Sequence, residues 1–131
     1  MENAPFLSPQ FRALQGAALA LLAVARGEPE AAQQHVDTAI KWALEAKDMP
    51  VLARVGVSAA MMQAGLGHPE VAAGTLGAAE RLRGAPDSHN PDIVELVRRL
   101  KTELGGAGYD AAYAAGLELD RADAIAQVRR R

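Results

Sequence analysis

Three histidines, His35, His68 and His89, are the side chains of this 131-residue chain suited to holding a metal or moving a proton near neutral pH. Their spacing argues against both roles. No two stand four apart on a helical stretch and no His-Glu-x-x-His occurs, so nothing presents two imidazoles to one ion. They read as ordinary polar positions. The run Gly105-Gly106-Ala107-Gly108 offers amides of the kind that hold phosphate at a helix start, but no Lys-Ser/Thr follows it and no strand pattern precedes it. It reads as a link between two helices. Ser8, Ser58 and Ser88 are the only serines, and none lies in a nucleophile elbow. With no cysteine, the chain has no thiol nucleophile, thiolate zinc site or disulfide. Glu28, Glu30 and Glu70 fall in first turns, where the helix dipole favours negative charge. No catalytic, cofactor-binding or metal-binding residue emerges, and the chain reads as a non-enzyme.

Basic residues group at Arg81 and Arg83, at Arg98, Arg99 and Lys101, and at Arg129, Arg130 and Arg131. The first two groups alternate with Glu80, Glu95 and Glu103, as a solvated face does, and the last suits a helix C-terminus. The formal net charge of −2 lacks the basic excess of a nucleic-acid binder, so no specific DNA binding by this domain alone is expected. The longest apolar run, Ala17 to Ala25, is about half a bilayer span. The start Met1-Glu2-Asn3-Ala4-Pro5 has neither the basic residue nor the cleavage site of a secretory signal. These features predict a cytoplasmic protein with no membrane partner.

Composition specifies the scaffold. Half the residues are hydrophobic but only 4% are aromatic, and the excess is alanine: 29 Ala against 15 Leu, 9 Val and 3 Ile. Alanine is the best helix former and a poor strand former. The expectation is an all-α fold whose backbones approach closely.

The chain is also internally repetitive. Gly27-Glu28-Pro29-Glu30 returns as Gly67-His68-Pro69-Glu70, 40 residues later, and in the same register Gly16 meets Gly56, Ala20 meets Ala60, and Ala39 meets Ala79. Pro9, Pro50 and Pro91 are spaced by 41. Ser8-Pro9 and Asn90-Pro91 are N-cap-plus-proline starts, and Gly27 and Gly67 suit helix ends. Helices are predicted near 9–26, 29–47, 50–66, 69–84, 91–104, 108–118 and 121–130, about seven in all. One domain, 1–131, then contains hairpin repeats at about 9–48, 49–89 and 90–119, with a capping helix at 120–131. Apolar stripes support this: Ala32, Val36, Ala39, Ile40 and Ala43 in the second helix, and Ile93, Leu96, Val97, Leu100 and Leu104 in the fifth. The first helix has no polar face between Ala17 and Ala25 and is expected to be covered all round. Trp42 lies off the main stripe, either as a binding anchor or, as we favour, packed on the next repeat.

The residues Ala20, Gly27, Ala32, Val36 and Ala39, repeated as Ala60, Gly67, Ala72, Leu76 and Ala79, resemble a lengthened tetratricopeptide (TPR) repeat. Gly108-Tyr109-Asp110-Ala111-Ala112-Tyr113 is similar to the start of a TPR second helix. The resemblance implies a TPR-like helical-hairpin solenoid of three repeats plus a capping helix, with Ala20 and Ala60 at the helix crossings. From about residue 72 to 128, the segments Leu76 to Asp87, Asn90-Pro91-Asp92, Leu104-Gly105 and Tyr109 to Gly116 resemble the C-terminal end of bacterial transcriptional regulators of the SARP/AfsR type. These motifs are structural and carry no catalytic residues across. The chain would then be a regulator's shortened C-terminus or a stand-alone relative.

In the TPR-like register the first helices line an inner groove, here Leu14, Ala17, Leu21, Val24 and Ala25, then Arg54, Val57, Met61 and Ala64. The predicted partner-binding set is Leu14, Ala17, Leu21, Val24, Arg54, Val57 and Met61. So apolar a surface needs covering, by the chain's own C-terminal helices, by a second copy, or by a partner segment. The last helix, with Ala122, Ile125 and Val128, is one candidate cover; the other role open to it is capping the stack. The function expected is a non-catalytic protein–protein interaction module, binding a protein partner or the regulator's own missing domains. A stand-alone adaptor or self-associating scaffold is the first alternative, and a small-molecule sensor with an apolar inter-helix cavity is the second.

Overall fold

Each helix begins where proline or a short polar side chain makes starting cheap. The computed structural model describes residues 8–85 and 89–129; Met1 to Leu7, Pro86, Asp87, Ser88, Arg130 and Arg131 lie outside them. Among the described residues six helices and no strand occur: α1 (Pro9–Ala25), α2 (Pro29–Ala46), α3 (Met49–Gly65), α4 (Pro69–Arg83), α5 (Pro91–Leu117) and α6 (Arg121–Val128). Ser8, Asp48, Asn90 and Asp120 cap α1, α3, α5 and α6, each side chain accepting from a backbone amide in the first turn at 2.8–3.1 Å. None of these helices is long and apolar enough to cross a membrane.

The sequence repeat is a repeat of conformation. Gly27 and Gly67 adopt left-handed φ of 73° and 88°. The amide after each reaches back over the turn, Glu28 to the Ala23 carbonyl and His68 to the Gln63 carbonyl, both at 2.9 Å. Glu28 (φ −118°, ψ 71°) and His68 (φ −119°, ψ 68°) then start α2 and α4 in the same way. Lys47 ends α2 in the left-handed region at φ 54°, the one non-glycine there among the described residues.

Helices α1 and α2 form an antiparallel hairpin, as do α3 and α4, and α3 packs on both α1 and α2. The two helices expected at 91–104 and 108–118 meet end to end as the two arms of α5, separated at Gly105 (φ 76°, ψ 161°), where the backbone leaves the helical region. The link is shorter than four residues because the helix resumes at once. Beyond the break, α5 crosses α4 at Gly74, Gly77 and Gly116: a Cβ on Gly77 would collide with the Tyr113 carbonyl, and one on Gly116 with the Gly74 carbonyl.

Two clusters make the core. The first joins α1, α2 and α3 with Ala78, Leu82, Ala124 and Val128; the second sets Ala60, Ala64, Ala72, Ala73 and Leu76 against Ile93, Leu96, Leu100 and Tyr109. The α2 stripe is buried throughout, and in α5 Val97 and Leu104 are half-buried at the edge. Ala20 and Ala60 are fully buried, and Gly16 and Gly56, about one turn earlier, stand close against Ala39 and Ala79 of the second helices.

Two expectations are corrected, on the cover of α1 and the buried stripe of α6, and one of the two roles left open for α6 is excluded. α1 is not covered all round: Phe11, Leu19 and Leu22 are 50%, 40% and 45% exposed, because α2 and α3 reach only the opposite side. α6 does not cover the groove lined by α1 and α3; it docks chiefly on α4, with Val128 in contact range of Gly56. Its buried stripe is Ala124 and Val128, four apart, while Ala122 is exposed. Gln127 fixes this placement by donating to the Thr75 hydroxyl at 3.2 Å.

Candidate functional site

The groove begins with residues forty positions apart in the repeat. Leu14, Ala17 and Leu21 project from α1, and Arg54, Val57 and Met61 from the same side of α3. Each set lies at three- and four-residue spacing, so one helical face carries it. α3 forms the floor between α1 on one side and the C-terminal end of α4 with the start of α5 on the other. The space enclosed is about 410 Å³.

Six of the seven partner-binding residues read from the sequence meet here. Val24 does not. It turns towards α3, where a Cβ on Gly65 would lie 2.8 Å from its Cγ1. Ala25 is exposed outside the groove, and Ala64 is buried beneath α5, its carbonyl accepting from Arg99 Nη2 at 2.9 Å. Leu14, Leu21, Val57 and Met61 remain half-buried, a floor of aliphatic side chains and a thioether with solvent above it.

The polar end of the groove is not apparent from the sequence. Glu80 and Arg83 of α4, with Asn90 and Asp92 at the start of α5, close it. Along the chain Glu80 and Arg83 read as part of a solvated face and Asn90 as a cap. Only the return of the chain between α4 and α5 brings them beside Arg54. Glu80 is nearly buried and accepts a hydrogen bond from the Tyr113 hydroxyl. Burial first, then this bond and the Glu80 charge, hold the Tyr113 hydroxyl well above its ordinary range. Tyr109 stacks on Tyr113 with ring centroids 5.6 Å apart, and burial pushes its own pKa up to about 12. Both rings therefore stay neutral, and Tyr113 stays a donor, at any physiological pH.

The other candidates are dispersed. His35 is half-buried in α2, while His68 and His89 are exposed, and among the described residues no group of three or more His, Asp or Glu side chains is placed to hold a metal ion. Trp42 is half-buried and packs against the core cluster shared by α1, α2 and α3, with the Arg12 guanidinium 4.9 Å from its ring centroid. Arg81 donates to the Leu119 carbonyl at 3.0 Å, tying α4 to the turn before α6. Arg98 pairs with Glu95, and Arg99 with Glu103 at 3.3 Å. Lys101 lies 5.5 Å from the Tyr109 ring centroid. An aliphatic floor with a mixed-charge end can hold an apolar segment and orient it.

No family model, curated protein or solved structure matches the chain.

Proposed function

We propose that the chain is a non-catalytic protein–protein interaction module, a TPR-like solenoid of three helical hairpins that docks an amphipathic helix or extended segment in the groove between α1, α3 and the start of α5. One observation carries this reading: Leu14, Leu21, Val57 and Met61 converge on an open groove instead of closing over one another. Small domains seldom leave such a surface without use. Leu and Met side chains adapt to varied apolar partners, while Arg54, Glu80, Arg83 and Asp92 supply charges of both signs for orienting one. The shared geometry of the Gly27 and Gly67 turns supports the solenoid. The resemblance of residues 72–128 to regulators of the SARP/AfsR type makes the regulatory end of a cytoplasmic transcription factor the favoured context.

Selection from a displayed library of helical peptides tests the reading. Peptides with an apolar stripe should be enriched, and their binding should fall by about tenfold or more in Val57→Glu or Met61→Glu, which place a charge on the floor. Enriched peptides that bind these folded variants as well as the parent would sink the groove as the docking site.

A further inference from the structure

The exposed side of α1 has a counterpart inside the molecule. Forty residues on, Phe11, Gln15, Leu19, Leu22 and Ala25 become Val51, Val55, Ala59, Met62 and Gly65 of α3. All five of the α1 residues are exposed. In α3, by contrast, Val55, Ala59 and Met62 are buried in the core shared with α1 and α2, Val51 packs at its edge, and Gly65 lies against Val24. The face that α3 rests on the preceding hairpin is the face that α1 leaves open.

The two ends of the stack differ accordingly. On α5 at the far end, Glu95, Arg98, Arg99, Lys101 and Glu103 are exposed and partly paired with one another, and the exposed apolar side chains Val94 and Leu117 stand far apart along the helix. The α1 face carries no charge: its outward residues are Phe11, Gln15, Leu19, Leu22 and Ala25.

We infer that this face of α1 is the docking surface for one more helical hairpin of the same construction, carried by a partner protein: an antiparallel, alanine-rich pair shaped like α1–α2. The α1 and α2 residues that share a core cluster with α3 show what such an occupant presents, namely small residues such as Ala20, Ala23 and Ala43, with Val24 packed against them. This surface is separate from the groove, so either can fail without the other.

The chain contains no cysteine, and a single Leu22→Cys thiol therefore reports on the face. The probe hairpin is residues 8–47 placed directly ahead of Ser8, so that Ser8 takes the N-cap place that Asp48 holds after Lys47. Tethering supplies the high local concentration. Thiol labelling should be fast in the parent chain. With the hairpin attached it should slow by about 100-fold or more, because a covered thiol reacts only through rare opening. The same cysteine placed on the added hairpin should stay fast. Equal rates with and without the hairpin would overturn the inference. So would slowed labelling on the added hairpin, or parent labelling that slows as protein concentration rises, which would make a second copy the occupant.

Discussion

Gly16 of α1 stands against Ala39 of α2 so closely that a Cβ on the glycine would lie 3.0 Å from the alanine Cβ. The relationship is repeated: a Cβ on Gly56 would lie 2.9 Å from that of Ala79, and both partners are displaced by the same 40 residues. Gly16→Leu and Gly56→Leu should each destabilise by about 1–3 kcal/mol or more through overpacking, and Ala20→Leu and Ala60→Leu should do so too. Gly106, with no neighbouring atom near its would-be Cβ, should respond oppositely. Gly106→Ala gains about 0.5–1 kcal/mol from the helical backbone. Urea titrations of the five variants check this; unchanged midpoints for the first four would mean the hairpin packing is misdescribed.

Alkali should loosen the α4–α5 contact. Tyr109 is pushed up to about 12 from an ordinary value of 10.0, and Tyr113 is raised as well. Between pH 10 and 12 the unfolded chain therefore loses tyrosine protons that the folded chain keeps. Stability is fully present below pH 10 and falls as the pH climbs through this window. Tyr113→Phe should cost about 1 kcal/mol at neutral pH by removing the bond to Glu80, and should flatten the alkaline decline. Denaturation midpoints from pH 8 to 12 give the comparison.

The short α6 is held by docking, since eight residues make too little helix to persist alone. Val128→Ala should destabilise by about 2 kcal/mol, because Val128 is fully buried in the first core cluster. A chain ending at Leu119 should unfold at markedly lower temperature. If its melting temperature is unchanged, the last helix is dispensable.

Duplex DNA should not be bound sequence-selectively by this chain at physiological salt. Arg81, Arg98 and Arg99 hold partners within the protein, and the chain is net acidic. A gel shift that distinguishes one duplex from scrambled competitors would contradict this.

The helix starts are legible in the sequence because local chemistry sets them: Pro9, Pro29, Pro69 and Pro91 each open a helix, and Asp120 caps the last. The groove is legible through the repeat, which carries Leu21 to Met61 without knowledge of the packing. What lies beyond the reach of periodicity is who covers whom. Hydropathy gives the unbroken run from Ala17 to Ala25 no direction, so Leu22 and Ala23 look alike although one is exposed and the other buried. Nothing along the chain marks Gly74, Gly77 and Gly116 as the points through which two helices touch. Glu80 and Asp92 become neighbours of one groove only through the turn of the chain before α5.

Among the described residues, 16 of the 28 buried apolar side chains are alanines, and this choice has a thermal consequence. An alanine side chain has no rotamers to freeze, so ordering it costs little entropy. It also withdraws little apolar surface from water, and that surface sets the heat capacity of unfolding. A fold built this way has a broad, shallow stability curve, changing slowly with temperature on either side of its maximum.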